Sequence, residues 1–197
     1  MKSLIDYYDD YAQEWADKWY KTETLLPYLK EFLSMLPRNP KVLDLCCGAG
    51  YESMRLKKLG ANVVGLDLSK KSIELAKQKN SDIEFHLKDM LVSYKDIGIF
   101  DGVACIAGLV HLAESNLKTA FKNMHEVLND NGYLFVVVQD GDKIIKSIEI
   151  EGQQYAREFY GYTLDKLKEH SKEYFKFEKE LNPDGKWRFY IFKKLEG

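Results

Sequence analysis

At 197 residues, 45% hydrophobic and 30% charged, the chain is the size of one domain that buries roughly 70% of its unfolded surface; it lacks the low complexity of a disordered or collagen-like chain and has no apolar run long enough to span a membrane. Its 29 basic and 31 acidic residues leave a net charge of -2, which withholds the positive field that duplex nucleic-acid binding exploits. Three cysteines, Cys46, Cys47 and Cys105, do not read as a disulfide framework, and no Cys/His spacing matches a zinc site, so no metal is expected.

The acidic residues among the first fifteen do not fit a signal peptide, and the expected location is cytoplasmic. Residues 3–35 read as two helices, with Pro37 and Pro40 marking the linker into a sheet. From Val42 onward, short β-rich runs at Val42–Leu45, Val63–Leu66, Ile83–Leu87, Gly102–Ala107 and Tyr133–Val138 alternate with helical stretches near Tyr51–Leu59, Lys70–Lys79 and Ser115–Leu128. That alternation predicts a parallel sheet with helices on both faces. Asn129-Asp130-Asn131-Gly132 is a helix stop and turn. Beyond Val138 comes a polar, aromatic stretch to Tyr162, then a helix near Thr163–His170 with Thr163 as N-cap. Two further runs, Tyr174–Leu181 and Trp187–Phe192, are joined by Asn182-Pro183-Asp184-Gly185, which fits a hairpin. No second domain boundary is visible: the expected organisation is N-terminal helices (1–37), an alternating core (41–140), a polar, aromatic insertion (141–162) and a C-terminal helix and hairpin (163–197).

The sharpest segment is Val42-Leu43-Asp44-Leu45-Cys46-Cys47-Gly48-Ala49-Gly50, followed by a helix and a strand ending in Gly65-Leu66-Asp67. The glycines let backbone approach a ligand, and an acid at the end of the second strand can accept from both ribose hydroxyls. A dinucleotide-binding dehydrogenase fits that outline, but its pyrophosphate would lie at the turn and helix N-terminus. There the sequence places Asp44 and Glu52. At ~4 Å and an effective dielectric of ~20, one such charge pair is worth about 4 kcal/mol before desolvation, so a cationic ligand is favoured over an anionic one.

Val42–Gly50 resembles motif I of the class I S-adenosylmethionine-dependent methyltransferases, and Val63–Ser69 resembles the segment that carries their ribose-binding acid. Lys88-Asp89-Met90 is similar to the adenine-contacting motif, Phe100–Val103 to the start of the fourth strand, and Leu128–Leu134 to the turn into the fifth. Tyr8-Asp9-x-x-Ala12-x-x-Trp15 is similar to the N-terminal signature of the small-molecule, methyltransferase-domain 11/25-like branch. The resemblance implies an α/β fold, Rossmann-like and doubly wound, with a seven-stranded sheet of order 3-2-1-4-5-7-6, strand 7 antiparallel, beneath an N-terminal helical lid (1–37), with 41–140 the cofactor-binding core, 141–162 a substrate-side insertion and 163–197 supplying the sheet edge. It implies S-adenosyl-L-methionine as cofactor, S-adenosyl-L-homocysteine as product, and in-line methyl transfer to an N, O or C nucleophile of a small molecule, by a monomer or homodimer. Carried over, the cofactor site comprises Asp44, Cys46, Gly48 and Gly50 around the turn, Asp67 and Leu68 for the ribose, Asp89 and Met90 for adenine, Ala107 after the fourth strand, and Tyr8 and Trp15 from the lid. Cys46 departs from the family's first motif glycine, with less backbone freedom there.

Tyr8, Trp15 and Trp19 fall at i, i+7 and i+11 on one helical face, either as a stripe docked on the core or as a lid over the cofactor. His111, just after the fourth strand, lies at the carboxyl end where open sheets keep ligands and is the candidate general base. Tyr155, Arg157 and Tyr160 form the candidate acceptor pocket, with Arg157 able to pair a carboxylate. Two other readings remain open at this point: a protein or nucleic-acid methyltransferase, and a protein that binds the cofactor without turnover. No nucleic-acid or membrane partner is expected.

Overall fold

Ser3 starts the first helix with a reciprocal cap: its hydroxyl accepts from the Asp6 N–H while the Asp6 carboxylate accepts from the Ser3 N–H. The computed structural model describes residues 1–142 and 144–196. Helix α1 (Leu4–Asp10) stops at Tyr11, whose φ of -106° and ψ of 15° break it from α2 (Ala12–Trp19). The two expected helices are therefore three, the last being α3 (Leu26–Ser34), which opens on Pro27. The alternating region follows as β1 (Lys41–Leu45), α4 (Tyr51–Lys58), β2 (Asn62–Asp67), α5 (Lys70–Lys79), β3 (Glu84–Leu87), β4 (Phe100–Ile106), α6 (Glu114–Glu126) and β5 (Leu128–Gln139).

The expected turn at Asn129–Gly132 lies inside β5 instead of before it. Leu128 already pairs with Phe100, the register shifts before Gly102 meets Tyr133, and Asn131 takes a φ of 63°. A step of two residues on β4 thus spans five on β5, so Asn129–Gly132 turns within the bounds of the strand, just after α6 stops. Residues 144–160 add two small ribbons outside the main sheet: β6 (Ile144–Ile145) pairs with β9 (Phe159–Tyr160), and β7 (Ile148–Ile150) with β8 (Gln153–Tyr155). Thr163 caps α7 (Leu164–Ser171), and β10 (Phe175–Glu180) and β11 (Trp187–Lys194) form the final hairpin. The main sheet runs β10-β11-β5-β4-β1-β2-β3, with β11 antiparallel to β5. Numbering its seven strands alone, this is the order 3-2-1-4-5-7-6 with strand 7 antiparallel.

Strand alternation divides the core between the two faces. Leu43, Leu45, Val103 and Leu134 pack with Leu117, Phe121 and Met124 of α6 and Leu167 of α7. Val42, Ala104 and Phe135 pack on the other side against Phe32 of α3, Leu56 of α4 and Ile73 of α5. Each fully buried side chain of this kind contributes about 1.5–3 kcal/mol. Asp44 shares parity with Val42 and is therefore directed to the α4 face. Among the described residues no helix is long and apolar enough to cross a membrane.

The N-terminal helices lie across the carboxyl ends of the central strands, tied down at four places. Asp9 accepts from Ser69 Oγ at 2.6 Å and Lys71 N–H at 3.0 Å at the start of α5. The Tyr20 hydroxyl donates to the Ala49 carbonyl at 2.8 Å. Arg55 of α4 donates to the carbonyls of Trp19 and Thr22. Lys2 exchanges backbone hydrogen bonds with Gln154 and Ala156 beside β8, so chain start and insertion meet directly.

Candidate active site

The turn after β1 is held in left-handed backbone at three positions: Cys46 (φ 63°), Gly48 (φ 53°) and Gly50 (φ 80°). Glycine adopts this freely; for Cys46 it is strained by roughly 1–2 kcal/mol, yet the turn survives the missing motif glycine. Ala107, after the neighbouring β4, is also left-handed at φ 55°. A Cβ at Gly50 would lie 2.9 Å from the Phe85 ring and 3.0 Å from Asn80 Nδ2, so no side chain is accommodated there. The Asp67 carboxylate spans the turn, accepting from the Gly48 N–H and the Ser69 N–H, each at 2.8 Å. Asp44 accepts from Ser53 Oγ at 2.5 Å, in the first turn of α4.

Three acids thus gather where the backbone is bare. Burial pushes the Asp44 carboxyl up to about 7, against the Ser53 hydrogen bond, with Glu52 and Asp67 adding repulsion. Burial also raises Asp67, opposed by its backbone N–H donors. Glu52 is lifted to about 7 by burial, although Arg55 opposes this through an ion pair at 2.9 Å. The charge that the sequence places at the helix start is therefore partly compensated, and Glu52 instead holds the guanidinium that grips Trp19 and Thr22. Its Oε2 is buried without a partner.

His111 sits in a short helical turn after β4. Its Nδ1 is 2.9 Å from the Glu158 carbonyl, an acceptor only, so Nδ1 carries the proton and Nε2 presents a lone pair. The Tyr8 hydroxyl donates to that Nε2 at 2.6 Å. Burial lowers the imidazole to about 4, with nearby Arg157 pushing the same way and the Glu158 carbonyl opposing. Burial raises the Tyr8 hydroxyl to about 12, with Arg157 opposing. The histidine is neutral near pH 7. The Arg157 guanidinium lies 5.0 Å from the Tyr7 ring centroid and 5.5 Å from that of Phe159.

Of the other sequence candidates, Leu68 is exposed beside Asp67, and Asp89 makes a local turn by accepting from the Leu91 N–H at 2.8 Å. Met90 is buried; its carbonyl accepts from Asn123 and its sulfur lies 3.6 Å from Cys46 Sγ. Tyr11 breaks the helix between Tyr8 and Trp15; Trp15 stacks on Trp19 and meets Tyr7 edge-on, and Tyr7 also meets Tyr8. Tyr155 is buried against Tyr7 and Tyr11, its hydroxyl donating to Asp10 at 2.8 Å. Tyr160 is not brought into the cluster: next to Phe159 on β9, it stacks on Tyr162 and donates to Glu158. Sequence reasoning missed Tyr7, the ring that joins Tyr8, Tyr11, Trp15 and Tyr155. It also missed Tyr51, whose hydroxyl lies 3.3 Å from where a Gly48 Cβ would stand. The aromatic density of residues 7–20 was the available signal for Tyr7.

Residues 42–132 match the family model of a methyltransferase domain. Over 145 residues, 68% of this chain, the sequence is 30% identical to the ubiquinone biosynthesis O-methyltransferase of Coxiella burnetii, of whose length it spans 60%. Over 178 residues, 78% of this chain and 71% of the relative, it is 32% identical to the enzyme of that name from Pelagibacter ubique. The chain belongs to the class I S-adenosylmethionine-dependent methyltransferases. Among solved members of this fold, the PH0226 protein of Pyrococcus horikoshii OT3 superposes with a TM-score of 0.75 at 26% identity, over 93% of this chain and 92% of its own. The matched model spans residues 42–132, so the helical cover, the insertion with Arg157, and the C-terminal hairpin lie outside it.

Proposed function

We propose that this methyltransferase transfers the methyl group of S-adenosylmethionine to a hydroxyl of a small molecule. The observation that carries the reading is that Asp44 and Asp67 meet at the glycine turn with no ion-pair partner among the described residues, while Glu52 is already paired with Arg55. Such a site attracts a cationic ligand and repels phosphates. Asp67 keeps unused lone pairs after its two backbone hydrogen bonds, suited to ribose hydroxyls. Gly48 and Gly50 supply the left-handed backbone that forms the turn against which the ligand lies, and Asp44 supplies the counter-charge. Leu68 adjoins Asp67 on the ribose side, Asp89 and Met90 are the adenine side of the same site, Cys46 and Ala107 its floor, and Tyr8 and Trp15 belong to its lid. Bound there, S-adenosylmethionine supplies a methyl group on a positively charged sulfur.

The chain's own residues then orient and deprotonate. The lid of α1 and α2 excludes water, which strengthens every charge interaction beneath it. His111, fixed as the Nδ1–H tautomer by the Glu158 carbonyl, offers Nε2 as the base for an acceptor hydroxyl, in the position that the Tyr8 hydroxyl takes here. A lone-pair base has no use to an acceptor nitrogen that arrives unprotonated, which favours a hydroxyl, and the names of the O-methyltransferase relatives support that choice. Methyl transfer from isotopically labelled S-adenosylmethionine into a metabolite extract tests the reading: labelled methyl ethers are expected, and label only in N-methyl or C-methyl products contradicts the hydroxyl assignment.

A further inference from the structure

Four arginines occur in the sequence. Arg55 pairs with Glu52, Arg188 bridges Asp140 and Glu180, and Arg38 is exposed. Arg157 alone is partly buried without an ion pair among the described residues, and its Nε is buried with no hydrogen-bond partner. The nearby carboxylates are turned elsewhere: Glu158 accepts from Tyr160, and Asp10 from Lys2 and Tyr155. A buried donor without a partner is rare enough in folded proteins to call for a function. The guanidinium carbon lies 5.0 Å from the Tyr7 ring centroid and 5.5 Å from that of Phe159, and Tyr8 and His111 adjoin it. A guanidinium fork within cation–π distance of two aromatic rings and next to a base matches a carboxylate carried on an aromatic body.

We infer that Arg157 is a carboxylate subsite for the methyl acceptor, and that the acceptor class is a hydroxylated aromatic acid. This rests on the methyltransferase reading above. The guanidinium binds the carboxylate, the Tyr7 and Phe159 rings flank the aromatic body, and the hydroxyl is directed to His111. The same chemistry could be supplied by the methionine carboxylate of the cofactor, and the experiment separates the two sources.

Full-length protein saturated with S-adenosylhomocysteine is titrated calorimetrically with 2-, 3- and 4-hydroxybenzoate and with their methyl esters. At least one acid is expected to bind tenfold or more tighter than its ester. Arg157→Gln is expected to abolish that preference while leaving S-adenosylhomocysteine affinity within about twofold, and Arg157→Lys to retain part of it. Equal binding of acids and esters, or binding of none of them, overturns the inference. So does an Arg157→Gln variant that loses S-adenosylhomocysteine instead, which assigns the guanidinium to the cofactor. Failure of the wild-type protein to bind S-adenosylhomocysteine at all would overturn the methyltransferase reading itself.

Discussion

Replacing Asp44 by Asn separates stability from ligand binding and moves them in opposite directions. The Asn oxygen can still accept from Ser53 Oγ, so the buried hydrogen bond is kept while the charge is removed. With its folded pKa near 7 against an ordinary value of 3.8, Asp44 binds its proton more tightly in the folded state. Folded stability is therefore highest below the unfolded pKa and falls as pH rises from about 4 through 7. A shift of this size corresponds to roughly 4 kcal/mol at pH 8, and to little at pH 4. The new amide NH2 needs a partner, which returns about 1–2 kcal/mol. Thermal unfolding followed by circular dichroism should then show Asp44→Asn more stable than wild type by about 2–3 kcal/mol at pH 8, some 4–12 °C in Tm at this chain length, and no more stable at pH 4.5. In the same preparations S-adenosylmethionine affinity should fall by about a hundredfold, since one charge interaction of a few kcal/mol is lost. A variant that is less stable than wild type at pH 8 would refute the reasoning, because Asp44 would then be stabilised as a carboxylate by its surroundings.

Three other outcomes follow from the same geometry. His111→Ala should lower kcat by roughly 10²–10⁴ without changing cofactor affinity, and wild-type kcat/KM should show no loss from His111 protonation between pH 5 and 8, since burial holds its pKa near 4; a limb near 6.5 that disappears in the variant contradicts this. Gly50→Ala should destabilise by about 2–4 kcal/mol in urea unfolding, from left-handed backbone and the Cβ contact with Phe85, and a loss below ~1 kcal/mol would mean the turn relaxes freely. Tyr155→Phe removes the hydroxyl that links the insertion to Asp10 on α1, and should speed S-adenosylhomocysteine release in stopped-flow by several-fold if α1 and the insertion open together; an unchanged off-rate shows that they do not.

The parts legible in the sequence were those where local pattern and tertiary structure agree. Buried strands, a glycine turn and the acid of Asp67 announce themselves because a parallel sheet covered on both faces demands continuous apolar runs with polar residues only at their ends. Thr163 and the Asn182–Gly185 connector were readable because caps and turns use residue-specific hydrogen bonds. The spacing of Tyr8, Trp15 and Trp19 assumed one unbroken helix, and Tyr11 breaks it with neither Gly nor Pro to mark the place, although Trp15 and Trp19 do stack. The turn at Asn129–Gly132 was legible from its residues, but the pairing of Leu128 with Phe100 that puts it inside β5 was not, because it depends on the neighbouring strand. Glu52 was read as an unopposed charge although Arg55 stood three residues on, at helical pairing distance. The ribbons of residues 144–160 are two or three residues long per strand, too short for any periodicity to register, and that is why Tyr160 and Phe159 could not be assigned to opposite sides in advance.

The central claim is that the carboxylates at the glycine turn select a cationic nucleoside over a phosphorylated one. Titration calorimetry of the full-length protein at pH 8 with S-adenosylmethionine, S-adenosylhomocysteine and NAD compares these ligands directly. The account predicts one-to-one binding of both sulfur nucleosides, with S-adenosylmethionine affinity falling as Asp44 is protonated below pH 7, and no binding of NAD. Binding of NAD with neither of the others would contradict it.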